Sequence, residues 1–170
     1  GCVKAIESSR PDGPSPSLPR YDIGTTYVYS DGSWETVAEK SPQLITWQNH
    51  RGYVYRKSPD LTYRAANWKT NTSQGSRRFV PQSSFLGQKK IKSLWPLQKG
   101  NLTSFTELVT SKKFGDAAKS YKVNWTCEVI GAEAIAVAAG EFDTWKIVCK
   151  RYNNFQNLAK AKIREIRTWY

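Results

Sequence analysis

The sequence contains one histidine, His50, and three cysteines, and this scarcity excludes most kinds of metal and catalytic site. A tetrahedral metal site needs about four nitrogen or sulfur ligands, and His50 lies far along the chain from Cys127 and Cys149. Nucleophilic catalysis needs a base beside a serine or cysteine, and no acid flanks His50. We therefore expect no metal site, no cofactor and no catalytic triad.

Long apolar runs and methionine are missing as well. A membrane-spanning helix needs roughly 18 apolar residues, and the longest candidate, residues 130–139, is interrupted by Glu133. The chain has no Met but seven Trp and nine Tyr, and aromatic residues favour strands. The sequence therefore predicts a strand-rich chain without a spanning helix.

Four acidic residues lie close together in the sequence: Glu128, Glu133, Glu141 and Asp143. Glycan-cleaving enzymes need only two carboxylates at a suitable separation. Glu128, however, falls on the polar face of a predicted strand, and Glu141 and Asp143 flank a predicted turn. Because few titratable groups converge anywhere in the sequence, we expect a protein that is not an enzyme.

The clearest pattern is a β-hairpin whose arms are residues 121–129 and 143–151. Along each arm, apolar, aromatic or cysteine residues alternate with polar ones, which is typical of half-buried strands. The Ala-Ala-Gly at residues 138–140 supplies a turn, which we expect to be a three-residue loop with its glycine in the left-handed region. We therefore predict that the fold is organised around this hairpin.

Cys127 and Cys149 lie on the apolar faces of the two arms. In an unbroken register the two residues are diagonal neighbours, and one bulge near Gly131 would bring them closer to directly opposite. We expect them to form a disulfide bond, and such bonds persist in oxidising compartments.

The remaining cysteine, Cys2, follows Gly1, and this pair resembles the end of a bacterial lipoprotein signal, where Cys2 would carry the lipid. The alternative is that both residues are a remnant of cloning or a labelling site. Residues 1–20 include a Pro- and Ser-rich stretch and are predicted to be the anchor and an irregular linker. Val3 after the cysteine favours the outer membrane.

Residues 21–170 are predicted to form a single all-β domain. Asp31-Gly32 and residues 49–52 are typical of hairpin turns. Further strands are expected at residues 61–68, 77–80, 102–110 and 162–170. Short consecutive strands indicate an antiparallel meander that curls into a β-roll, a barrel-like domain or a sandwich.

Residues 127–147 resemble a signature of uncharacterised bacterial periplasmic domains with a spiral β-roll architecture. The match includes the Gly-x-Glu at residues 131–133 and the Val-x-Ala-Gly-x-Phe-Asp at residues 137–143. The resemblance implies an all-β fold and a periplasmic location, and it brings no catalytic residues. In such domains the strand at residues 167–170 continues into another hairpin, so we expect this chain to be truncated at its C-terminus.

Positive charge is concentrated in the middle of the chain. The net charge is +12, and residues 51–122 carry fifteen Lys or Arg against three Asp or Glu. The predicted anion- or partner-binding residues are Arg56, Lys57, Arg64, Lys69, Arg77, Arg78, Lys89, Lys90 and Lys92. Such an excess attracts anionic partners.

The leading hypothesis is therefore a non-enzymatic envelope lipoprotein on the periplasmic side of the membrane. It would bind an anionic envelope component or act as an accessory subunit of a membrane protein complex. A second hypothesis is a glycan-binding or glycan-processing module that uses exposed Trp and Tyr. Basic residues interleaved with aromatics also occur in single-stranded nucleic-acid binders, but an envelope location argues against that third hypothesis.

Overall fold

The computed structural model describes residues 4–6, 13–29, 31–60, 68–69, 76–82, 91–112, 115–152 and 163–169. The strands are β1 (Lys4–Ile6), β2 (Thr26–Val28), β3 (Trp34–Lys40), β4 (Ile45–Asn49), β5 (Val54–Lys57), β6 (Trp68–Lys69), β7 (Ser76–Gln82), β8 (Leu102–Lys112), β9 (Lys119–Val137), β10 (Gly140–Tyr152) and β11 (Ile163–Trp169). No helix that could span a lipid bilayer occurs among these residues. The predicted all-β class is confirmed.

The strands form an antiparallel meander. From β11 to β2, each strand pairs with its neighbour in the sequence, and β1 pairs with β9 outside this order. β11 and β2 are the two ends of the order, so the described sheet is open. The predicted strands at 77–80, 102–110 and 162–170 correspond to β7, β8 and β11. The strand predicted at residues 61–68 lies outside the described residues, except for Trp68.

The β9–β10 hairpin has the predicted bulge but a shorter turn. Val137 pairs directly with Gly140, so the turn has two residues, Ala138 and Ala139, instead of three. Gly140 has a φ of 131° and Gly131 a φ of 132°, both in a region that side chains disfavour. The register shifts beside Gly131, because Lys146 pairs with Gly131 whereas the next residue of β10 pairs with Val129.

One hydrophobic core lies on the face of β8, β9 and β10 that bears Phe105, Cys127 and Trp145. The segment 91–101 covers this face with Leu94 and Leu97, both almost fully buried. Its position is fixed by backbone hydrogen bonds from Gly100 to Val129 and from Val129 to Asn101. Burying each leucine contributes roughly 1.5–3 kcal/mol, so this segment is part of the fold.

A second core lies in the β2–β5 part of the sheet and is mostly aromatic. Tyr21, Val37, Ile45, Trp47 and Tyr55 are its buried members. The rings of Tyr21 and Trp47 meet edge to face with their centroids 5.1 Å apart, a preferred arrangement of aromatic pairs.

Part of the predicted irregular linker forms a strand. β1 pairs with β9, with Lys4 opposite Ala136 and Ile6 opposite Ala134. Ser15 Oγ accepts a hydrogen bond from the Leu97 backbone N–H at 2.7 Å. The predicted linker therefore contacts the folded domain at Lys4–Ile6 and at Ser15, whereas residues 13–20 have no regular secondary structure.

Candidate functional site

The disulfide joins the two long strands of the central hairpin. Cys127 and Cys149 are directly opposite each other, with a sulfur–sulfur distance of 2.06 Å and Cα atoms 4.0 Å apart. Cys127 is fully buried and packs with Trp145 and Ile147. The bulge next to Gly131 produces this alignment, since the register without it would pair Cys127 with Lys150. Cys2 lies outside the described residues.

The predicted basic site residues fall into three groups. Arg64, Lys89 and Lys90 lie outside the described residues. The strand register places Lys69, Arg77 and Arg78 in β6 and β7. Side chains are described for Arg56, Lys57 and Lys92, of which Lys92 is exposed.

Lys57, one of the predicted anion- or partner-binding residues, lies mostly buried beside the aromatic core. Its ammonium lies 3.7 Å from Glu35 Oε1 and 5.1 Å from the ring centroids of both Trp47 and Tyr55. The relative solvent-accessible surface of the Lys57 side chain is 21%. Lys57 therefore stabilises the aromatic core through cation–π contacts and an ion pair, and it is not part of an open basic surface.

Glu35 is shared between Lys57 and Tyr29. The Tyr29 hydroxyl donates a hydrogen bond to Glu35 Oε1. Burial and this hydrogen bond raise the pKa of Tyr29 above its usual value, because both favour the protonated phenol. The three groups form a polar edge to the aromatic core and can hold one another in place.

Arg56 points away from that core because consecutive strand residues face opposite sides. Its guanidinium lies 3.9 Å from Glu39 in an exposed ion pair. Such surface pairs contribute about 0–1 kcal/mol. Arg56 therefore remains available on the surface of the sheet, unlike Lys57.

Three basic residues in three adjacent strands, β7, β8 and β9, share one face of the sheet. Arg78 pairs with Thr110, which pairs with Ser120, and residues directly opposite across a sheet share a face. Lys112 and Lys122 are two positions from Thr110 and Ser120, respectively, and lie on that same face. We call Arg78, Lys112 and Lys122 the basic cluster.

The centre of the basic cluster is polar and open. Thr110 Oγ1 and Ser120 Oγ are 2.9 Å apart, and Lys112, Ser120 and Lys122 are exposed. On this face, the even-numbered residues 102–112 of β8 and 120–126 of β9 include no Asp or Glu. Exposed lysines near two hydroxyl groups suit phosphate, sulfate or carboxylate groups.

Arg77 lies on the other face of the sheet. It pairs with Ser111, which pairs with Lys119. The two neighbouring arginines, Arg77 and Arg78, thus cannot contribute to one surface, although both were predicted to do so. Lys112 and Lys122 were not among the predicted residues, and the alternation of polar residues along β9 was the signal that could have identified Lys122.

The acidic residues near the hairpin differ in their surroundings. Lys146 Nζ lies 3.1 Å from Glu133 in a half-buried ion pair. Glu128, Glu141 and Asp143 are exposed. No group of three or more His, Cys, Asp or Glu side chains that could hold a metal ion occurs in the part of the chain that the structure describes.

Comparison with known proteins found no matching family model, no matching curated protein and no matching solved structure.

Proposed function

We propose that the protein is a non-enzymatic lipoprotein of the bacterial envelope that is anchored through Cys2 and binds an anionic partner through the basic cluster. The observation that carries this proposal is the register of β7, β8 and β9, which places Arg78, Lys112 and Lys122 on one face, where Glu128 lies opposite Leu102, at the far end of β8. The partner is an anionic envelope component or an acidic surface of a membrane protein complex.

Two observations support the envelope location. The disulfide between Cys127 and Cys149 is a bond that persists in oxidising compartments such as the bacterial periplasm. The Gly1-Cys2 pair and the resemblance of residues 127–147 to periplasmic domains agree with it.

Binding through the basic cluster should be electrostatic and therefore salt-dependent. The distance over which charges act in solution falls from about 10 Å at 0.1 M salt to about 3 Å at 1 M salt. The partner should therefore be retained at low salt and released at high salt.

The test compares charge reversals on the two faces of the same strand. Lys122 and Lys119 are both exposed residues of β9, and Lys119 lies on the face opposite the cluster. We expect Lys122→Glu to reduce recovery of the partner in a pull-down from solubilised membranes at low salt, whereas Lys119→Glu retains it. Exposed substitutions usually change stability within about 0.5 kcal/mol, and thermal unfolding of both variants checks this.

Arg78→Glu and Arg77→Glu provide a second matched pair on β7. Only the reversal at Arg78 should weaken binding. If both members of each pair retain the same partners at every salt concentration, the basic cluster is not an interface. The glycan-binding hypothesis would then be favoured, with the exposed aromatics Tyr29 and Trp34 as the residues to substitute next.

A further inference from the structure

The pairing of β1 places Lys4, two residues after the predicted lipid anchor, near one end of the central hairpin. β1 and β9 are antiparallel, with Lys4 opposite Ala136 and Ile6 opposite Ala134, so Lys4 is the end of β1 that lies nearer to the hairpin turn. Two residues span at most about 7 Å. An acyl group on Cys2 would therefore hold Lys4, and with it the turn, close to the membrane surface.

The turn itself is apolar and exposed. Residues 134–140 are Ala-Ile-Ala-Val-Ala-Ala-Gly, without a polar side chain. Ala138 and Ala139 are exposed, and Phe142, just after the turn, retains 48% exposure. Removing apolar surface from water is favourable, so an exposed Ala-Ala turn followed by an exposed Phe suits an apolar neighbour.

Charged residues limit how deep this end of the hairpin can enter a bilayer. Glu141 and Asp143 flank Phe142 and are exposed, and burying a carboxylate in hydrocarbon is costly. Alternation along β10 puts them on the face opposite Phe142. The arrangement fits a shallow position at the level of the lipid headgroups, with Phe142 towards the acyl chains.

We propose that residues 138–142 rest in the headgroup layer of the phospholipid bilayer that the Cys2 anchor occupies, so that β9 leads away from that membrane. This inference rests on the proposed lipid anchor. This membrane contact would also place the basic cluster far from the bilayer, because about 50 Å of strand separates Val137 from Lys122 at the usual rise per residue. The cluster then faces a partner away from the lipids of its own membrane.

The experiment uses the full-length acylated protein in vesicles of phosphatidylethanolamine and phosphatidylglycerol. A cysteine is introduced by Ala139→Cys and labelled with a polarity-sensitive fluorophore; acylated Cys2 and the disulfide leave no other free thiol. The matched control is Asp116→Cys, in the exposed turn before β9. We expect a blue shift at position 139 and quenching by spin-labelled phospholipid, with neither effect at position 116.

Three outcomes distinguish this inference from the proposed anchor. Acylated Cys2 together with a water-like signal at position 139 would overturn the membrane contact and leave the anchor standing. Quenching at position 116 instead of 139 would mean that the opposite end faces the bilayer, which also overturns the contact. Mass spectrometry that finds Cys2 without a lipid would overturn both the anchor and the contact.

Discussion

Loss of the disulfide should lower the free energy of unfolding by about 3 kcal/mol. Cys127 and Cys149 are 22 positions apart, and a cross-link that closes a loop of this length restricts the unfolded chain by about that amount. For a chain of this size, each kcal/mol corresponds to about 2–4 °C in melting temperature. The expected decrease is therefore about 6–12 °C.

Reduction of the wild-type protein and the double variant Cys127→Ala/Cys149→Ala test this prediction together. The reduced wild type keeps both sulfur atoms, so it isolates the cross-link from the small cavity that alanine leaves beside Trp145 and Ile147. Urea unfolding should show a lower midpoint for both, and a steeper dependence on urea because the unfolded chain exposes more surface. Cys2→Ala is the control and should unfold like the wild type.

The reasoning fails if reduction has no effect. A wild-type sample whose thiols at Cys127 and Cys149 are shown by alkylation to be free, but whose urea midpoint is unchanged, would show that the cross-link does not constrain the unfolded state. Two alkylated thiols at these positions in protein purified without reductant would refute the disulfide itself.

Two further predictions concern the polar edge of the aromatic core. Lys57→Met keeps the apolar stem but removes the charge, so it should lower the free energy of unfolding by about 1–2 kcal/mol through loss of the cation–π contacts and the ion pair. Lys40→Met, at an exposed position, should change it little. Equal urea midpoints for the two variants would contradict the assigned contacts. The pKa of Tyr29 is raised in the folded state, so its hydrogen bond should stabilise the protein fully below pH about 10 and progressively less as the pH rises beyond it. The difference in unfolding free energy between wild type and Tyr29→Phe should therefore shrink above that pH, and a difference that stays constant would refute the role of the phenol.

The features that the sequence predicts well are the local ones. Alternation along β9 and β10 depends only on residues close in the chain, and it was long enough to identify both strands and the face of Cys127 and Cys149. Gly131 indicated the bulge because a glycine within a strand pattern often marks one. The fold class and the disulfide follow from these elements.

The features that the sequence did not predict depend on pairings across the sheet. β1 has three residues, too few for a period, and its partner Ala134 is distant in the chain. Lys57 shares a face with Tyr55 two residues earlier, so its burial against that ring follows once β5 is known to be half-buried. The basic cluster depends on the register of β8 with β7 and β9, which no single stretch of sequence contains.

The position of β1 has a consequence for the order in which the molecule folds. Each of β2 to β11 pairs with a strand that is adjacent to it in the chain, whereas β1 needs residues 134–136 of β9, which are made much later. Contacts between residues far apart in a chain form more slowly than local ones. Residues Lys4–Ile6 of a newly made chain thus stay unpaired until the central hairpin exists, and β1 is expected to join the sheet late in folding.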